Sequence, residues 1–393
     1  MLEQRIPEIQ AALAEAGADA WLFAVFQTND PVSIDLLGLG GKHLVTRRLY
    51  YLVPREGEPV KLNHRLEPAM LAHLPGEQRY YLTWEEHRAQ LAALVGGRRR
   101  VLAQYSPDNQ LPSVSRLDAG TADLLRSAGV ELLSSADLVQ RFAAVWSPAQ
   151  LAGHRRACRA LHEIVHAAFE RIGNELREGR EPVEHAIQAF ILERFERAGL
   201  WSESPPNVSV DAHSADPHYA PAAEGSAAIG RGDFVLIDLW AKEKAADAVY
   251  ADITWCAVTA APTERQDEVF HLVARARDAA WELVRGRFPR EVVRGFEVDD
   301  AARAVIREGG YAERFFHRTG HSIGTSDHGQ GANMDNLETH DTRPLLPMTG
   351  FSIEPGIYLE GDFGVRSEIN VALTEEGAEI TGGEPQRELV RIG

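Results

Sequence analysis

The chain is poor in cysteine, with only Cys158 and Cys256 among 393 residues. Two cysteines so far apart build neither a disulfide framework nor a thiolate metal site, which fits a reducing compartment. Basic runs are equally scarce. Arg98-Arg99-Arg100 is the one tight cluster, and 41 Lys plus Arg face 58 Asp plus Glu, a net charge of −17. A nucleic-acid binder carries a basic domain or stripe, so no such partner is expected. No 18 apolar residues run together, and the opening stretch through Glu15 has no uninterrupted apolar segment. Neither a membrane span nor a secretory signal is expected, and the cytoplasm is the expected compartment.

What is present is an ordinary globular composition, 44% apolar and 25% charged. The length corresponds to about two domains. Residues 1–148 alternate short apolar strands (Ala20–Val25, Leu49–Val53, Val101–Ala103) with helical spacing at Ile9, Leu13 and Ala16. That alternation predicts an α/β domain. Ser147-Pro148 is a strong helix start, a capping side chain followed by proline at the first helical position. Beyond it, Leu151, Cys158, Leu161, Val165, Ala168 and Ile172 recur at helical spacing. Further helices are expected over about 183–198, 265–286 and 297–308. Strands are expected at Phe234–Ile237, Ile253–Val258, Phe351–Leu359 and Val365–Leu373, and a His- and Gly-rich loop at Phe315–Asn333. The second domain is therefore 149–393 and the fold class α+β.

Four acidic residues lie where acids are disfavoured. Asp238 ends the apolar Phe234-Val235-Leu236-Ile237, and Asp252 opens a second apolar strand. If the two strands form a hairpin, these carboxylates can face each other across it, which destabilises a sheet. Glu354 interrupts Phe351-Ser352-Ile353, and Glu368 sits between Val365 and Ile369-Asn370-Val371. Each pair is separated by 14 residues. Buried carboxylates need a counter-charge, and two divalent cations balance four of them in formal charge. His321, in Gly320-His321-Ser322-Ile323-Gly324, offers a nitrogen ligand. A carboxylate-rich set with one imidazole suits manganese first, and also cobalt, iron or zinc. The plain alternative is four strand-end acids with separate salt bridges.

The ordered set Asp238, Asp252, His321, Glu354, Glu368 resembles the five-ligand signature of the pita-bread metallopeptidases. That family includes methionine aminopeptidase, aminopeptidase P, prolidase (Xaa-Pro dipeptidase) and creatinase. Val235-Leu236-Ile237-Asp238, Asp252-Ile253-Thr254, Ile353-Glu354-Pro355-Gly356 and Arg366-Ser367-Glu368 carry the resemblance beside the His321 string. It implies a pita-bread catalytic domain over 149–393 and a creatinase-like N-terminal domain over 1–148. It also implies that Asp238 chelates one metal, that Asp252 and Glu368 bridge two, and that His321 and Glu354 complete the second. Glu354 would handle the proton of the attacking water. His328 and His218 would be catalytic histidines, while His317 and Arg366 would lie against substrate. Arg343 is the candidate for the carboxylate of a C-terminal proline.

The implied activity is hydrolysis of an Xaa-Pro bond in a dipeptide or short peptide by a homodimer with two metals. Xaa-Pro dipeptidase is the first reading, aminopeptidase P the alternative, and a non-peptidase metal-dependent lyase a further one. Three departures bear on substrate preference. Trp255 stands where an arginine is usual, the Asp238–Asp252 bend is longer than common, and Gly329-Gln330 follows His328 where an acid is frequent. One motif competes. His162-Glu163-Ile164-Val165-His166 spells a zinc helix motif, with Glu184 as its third ligand. It would leave the four strand carboxylates unexplained.

Overall fold

The computed structural model describes residues 2–40 and 45–392, which form two compact units, Met1–Ala143 and Ala144–Gly393. The division falls before the capping Ser147, because Trp146 belongs with the second unit. Its backbone N–H donates to Met348 O at 2.6 Å, and its ring lies where a Cβ on Gly350 would stand.

The first unit is a six-stranded mixed sheet. Its order is Glu77–Tyr81, Val60–His64, Leu49–Pro54, Ala20–Val25, Arg100–Ala103, Glu131–Ser134. Alternation along Ala20–Val25 sends Trp21 and Phe23 to one apolar layer and Ala20 and Leu22 to the other. Helix Ile6–Glu15 closes the first layer with Ile9 and Leu13. Helices Trp84–Val95 and Ala119–Ser127 close the second with Leu91, Leu94 and Leu125.

The second unit repeats one plan, two helices followed by an antiparallel strand pair. Helices Pro148–Arg177 and Glu184–Arg197 precede the pair Phe234–Glu243 and Ala251–Val258. Helices Glu264–Arg287 and Gly295–Glu308 precede the pair Gly350–Ile353 and Ile369–Leu373. The first helix starts at the expected place: Ser147 Oγ accepts from Gln150 N, and the Gln150 side chain answers at Ser147 N. Its predicted apolar stripe, Leu151 to Ile172, is buried throughout.

Alternation decides what the central strands present. Val235, Ile237, Leu239, Ile253 and Trp255 pack under the first helix pair. Leu236 and Cys256 face the opposite way, into the core under the second pair. Asp238, Asp252 and Thr254 share that second face by parity. The same alternation turns Trp255 away from them, toward helix Pro148–Arg177, where His162 and His166 meet its ring edge-on at 5.6 and 4.6 Å. Trp255 therefore faces away from the carboxylates of the site.

The second strand pair departs from the two long strands expected. Each is broken at its carboxylate. Gly350–Ile353 stops before Glu354-Pro355 and resumes as Gly356–Leu359; Phe363–Arg366 stops before Ser367-Glu368 and resumes as Ile369–Leu373. Pro355 has no N–H to continue a ladder. Glu354 and Glu368 consequently occupy the corner where one ladder ends and the next begins.

A buried histidine makes this scaffold sensitive to acid. His154 holds Tyr250 O at 2.6 Å through Nδ1 and Thr381 Oγ1 at 2.9 Å through Nε2. Burial depresses its pKa from 6.5 to about 4. The unfolded chain then binds that proton more readily, so stability is full above the unfolded value and is lost as pH falls toward the folded one. The expected loss between pH 7 and pH 5 is about 2 kcal/mol from this residue. Urea unfolding across that range should show it, and His154→Gln should flatten the slope by that amount.

Candidate active site

Register, more than sequence spacing, sets the geometry of the acids. Asp238 pairs with Thr254 and Asp252 with Trp240, so the two carboxylates do not stand opposite each other as expected. They share a face two residues out of step, which relieves direct repulsion. Thr254 lies between them, its Oγ1 3.0 Å from Asp238 Oδ1 and 2.8 Å from Glu368 Oε2. The two strand pairs meet at this point, where Glu368 N donates to Thr254 O at 3.3 Å.

The loop carrying His321 is pressed onto the second pair. A Cβ on Gly320 would stand 1.9 Å from Ser352 O, so glycine alone permits the approach. His321 N donates to Ser352 Oγ at 3.0 Å, and Ser352 Oγ donates to Glu354 Oε1 at 2.9 Å. His321 Nε2 then lies 3.4 Å from both Asp252 Oδ2 and Glu354 Oε1. Ligand atoms of Asp252, His321 and Glu368, all buried, fall within 4.8 Å of one another. Asp238 and Glu354 join the cluster through Arg366, whose Nη2 donates to Asp238 Oδ2 and whose Nε is 3.9 Å from Glu354 Oε2.

The electrostatics mark the site as short of positive charge. Burial pushes Glu368 well above the usual carboxylate range, and repulsion from Asp252, Glu354 and Asp238 adds to it. Asp252 is raised well above its usual value by burial and then by Asp327, Asp238 and Glu354. Burial raises Asp238 too, against the pull of Arg366. Glu354 is the exception. Burial acts against its charge, but His321, Arg366 and His317 together hold it below its ordinary value. Asp252 Oδ1 and Glu368 Oε1 are buried with no hydrogen-bond donor. Unpartnered buried carboxylate oxygens facing an imidazole are a donor set that fits a divalent cation.

Three expected substrate contacts are placed differently. His317 is consumed internally, its Nδ1 on Arg318 O at 2.7 Å and its Nε2 on Tyr358 OH at 2.8 Å. Burial lowers its pKa to about 4. Arg366 is buried and spent on Asp238, on Thr254 Oγ1 at 3.0 Å and on Tyr358 OH at 3.1 Å. Arg343 forks onto Asp341 at 2.9 and 2.6 Å and donates to Gln330 O at 3.1 Å. It braces the loop after His328 and leaves little of its guanidinium for a carboxylate. His328 remains accessible, with its ring 4.2 Å from that of His321. Arg318 Nη2 lies 3.3 Å from His328 Nδ1. A guanidinium can only donate, so Nδ1 accepts and the neutral ring carries its proton on Nε2. His321 and burial depress the His328 pKa to about 3. His218 is exposed, close enough to His328 to contribute to that shift.

The zinc-helix alternative finds no site. Glu163 is exposed, His162 and His166 are against Trp255, and Glu184 is saturated. Its carboxylate accepts from Val210 N, Ala227 N, Tyr219 OH and His213 Nδ1, at 2.6 to 2.9 Å. The long bend is partly strand: Phe234–Glu243 continues past Asp238, residues 244–250 turn back, and Lys242 Nζ donates to Thr325 O at 2.6 Å.

Four contributors went unnoticed in the sequence: Thr254, Tyr358, Asp327 and Asn370. Asn370 exchanges two hydrogen bonds with the backbone of Asp252, Oδ1 accepting from its N–H at 2.9 Å and Nδ2 donating to its carbonyl. Cys158 Sγ supports Asn370 Oδ1 from below at 3.4 Å. Removing this brace should loosen Asp252. Asn370→Ala is expected to weaken metal binding by roughly tenfold to a hundredfold, read by competition with a chelating dye. His162→Ala should leave metal binding unchanged.

Comparison with known proteins agrees with this geometry. The model of metallopeptidase family M24 matches residues 154–375. A probable dipeptidase PepE of Mycobacterium tuberculosis is 30% identical over 375 residues, covering 94% of this chain and 92% of its own. An Xaa-Pro dipeptidase of Pyrococcus furiosus is 32% identical over 226 residues, 57% of this chain and 58% of that one. The crystal structure of dipeptidase PepE from Mycobacterium ulcerans superposes with a TM-score of 0.73 at 25% identity, covering 99% of this chain and 97% of that one. A family match over more than half the chain, an end-to-end relative and the carboxylate–imidazole cluster converge: the chain is a metal-dependent peptidase of family M24, with the pita-bread fold.

Proposed function

We propose that the chain is an Xaa-Pro dipeptidase working with two divalent metal ions held by Asp238, Asp252, His321, Glu354 and Glu368. The observation that carries the reading is the pair of buried, unpartnered oxygens on Asp252 and Glu368 beside His321. Such metals, when bound, acidify water and polarise a scissile carbonyl. The remaining work belongs to the chain. Arg366 holds Asp238 in place and limits repulsion within the cluster. Glu354, ionised at neutral pH, takes the proton of the attacking water and passes it to the departing proline nitrogen. His328, with its proton on Nε2, donates to the carbonyl oxygen as charge develops there.

A dipeptide preference is supported by Arg318, since Arg343 is engaged elsewhere. Among the described residues the Arg318 side chain donates one hydrogen bond, to His328 Nδ1, and its charge also acts on Asp327, which leaves a cation beside the catalytic histidine for a proline carboxylate. The similarity to the Xaa-Pro dipeptidase of Pyrococcus furiosus points the same way. Manganese as the resident ion, a homodimer and the cytoplasm complete the reading.

The test is turnover of Ala-Pro, Ala-Pro-Gly and Ala-Ala by chelated protein to which manganese, cobalt or zinc is restored. Ala-Pro should be cleaved fastest, and Glu354→Gln should lower kcat on the order of a thousandfold with the fold intact. Equal turnover of the dipeptide and the tripeptide would overturn the dipeptidase reading in favour of an aminopeptidase.

A further inference from the structure

The corner that carries Glu354 and Glu368 is held loosely by its own backbone. Both ladders break there, and the bonds that bridge the gap are long. Ser367 N donates to Pro355 O at 3.4 Å, and Glu368 N donates to Thr254 O at 3.3 Å. Each exceeds the usual N–H···O distance. One side chain reaches this corner from outside the site. Arg277, on helix Glu264–Arg287, donates from Nη1 to Ser367 Oγ at 2.6 Å and to Gln386 O at 2.8 Å. Ser367 is the residue between Arg366 and Glu368, and its backbone touches the residue after Glu354.

The second arm of Arg277 leads to the same place. Gln386 Oε1 accepts from Cys256 N at 2.9 Å, and Gln386 Nε2 donates to Cys256 O at 2.6 Å. Cys256 Sγ in turn donates to Arg366 O at 3.3 Å. Arg277 thus clamps both strands that meet at the corner, one through Ser367 and the other through Gln386. Stability alone does not account for a guanidinium here. Its side chain is 1% exposed, and its one ion pair among the described residues is with Asp278, which is 45% exposed. An apolar side chain of similar volume serves a core as well as such a pair, or better. What only the guanidinium supplies is a rigid fork aimed at several acceptors together.

We propose that Arg277 is a positioning residue for Glu368, fixing through Ser367 the corner from which Glu354 and Glu368 reach the cluster. Resting on the reading of Glu368 as a metal ligand, this role goes beyond it by assigning metal affinity to a helix that contributes no ligand. It does for the corner what Asn370 does for Asp252.

The experiment uses Arg277→Met, Ser367→Ala and the double variant beside wild type. Met keeps much of the volume, and the Asp278 it frees is half exposed, so the variant is expected to fold. Ser367→Ala removes the acceptor alone and decides the matter should Arg277→Met fail to fold. Chelated samples are titrated with Mn2+, and hydrogen–deuterium exchange is followed in the metal-free protein. Each single variant should bind Mn2+ roughly tenfold to a hundredfold more weakly. The double variant should bind no more weakly than Arg277→Met, since either change removes the same contact. Exchange should quicken at residues 366–370 and stay at the wild-type rate in strand Leu49–Pro54. Unchanged Mn2+ affinity or additive losses would overturn the proposal. So would exchange quickened throughout the chain, which would show a loss of stability alone. If the wild type binds no Mn2+, the metal reading fails on its own and exchange decides. Quickening at 366–370 that spares Leu49–Pro54 then upholds the positioning role, and unchanged or uniformly quickened exchange refutes it.

Discussion

Repulsion among buried carboxylates is the constraint around which the catalytic unit is built. Asp238, Asp252, Glu354 and Glu368 come from two separate strand pairs, and each would be a defect in an ordinary sheet. The fold lowers the cost by geometry before any cation is added. Asp238 is set opposite Thr254 instead of Asp252. Glu354 and Glu368 are moved out of the ladders into a corner. Arg366 enters from the neighbouring strand, steadied by Tyr358, which is steadied in turn by His317. What geometry leaves over is a deficit of positive charge, and that deficit is the function of the site.

Side chains that touch the backbone around the cluster fix it in place. Asn370 grips Asp252 by its backbone, and Cys158 on helix Pro148–Arg177 supports Asn370. Lys242 and Tyr250 hold the loop between His321 and His328 through Thr325 O and Gly324 O. Arg343 holds the loop beyond it through Gln330 O. Both extended features of the chain, the long bend and the buried Arg343–Asp341 pair, therefore act on one loop. That loop carries His328.

The carboxylate–imidazole cluster was legible in the sequence because an acid on an apolar strand contradicts its surroundings, and four such contradictions beside one histidine point to a shared site. The helix beginning at Pro148 was equally legible, since Ser147, Pro148 and Gln150 act locally. Register was not. A period of two fixes the face on which Asp238 and Asp252 lie, yet not whether they stand opposite or two residues apart. Partners were not legible either. His317, Arg366 and Arg343 have the right chemistry for substrate, and only the three-dimensional packing reveals that Tyr358, Asp238 and Asp341 already occupy them. Strands Val60–His64, Glu77–Tyr81 and Glu131–Ser134 went unread because they are short and partly polar. Asp327 passed unnoticed beside a histidine that drew the attention.

The carboxylate–imidazole cluster is proposed as a two-metal site. Chelated protein titrated with Mn2+ tests it most directly, with bound ions counted and thermal unfolding followed in the same samples. Two equivalents should bind, and Tm should rise with added ion, because binding to the folded chain alone stabilises it. In Glu368→Gln, which removes one of the buried unpartnered carboxylates, both the second equivalent and most of the rise should disappear. Binding of no ion, or two equivalents bound equally well by Glu368→Gln, would contradict the account.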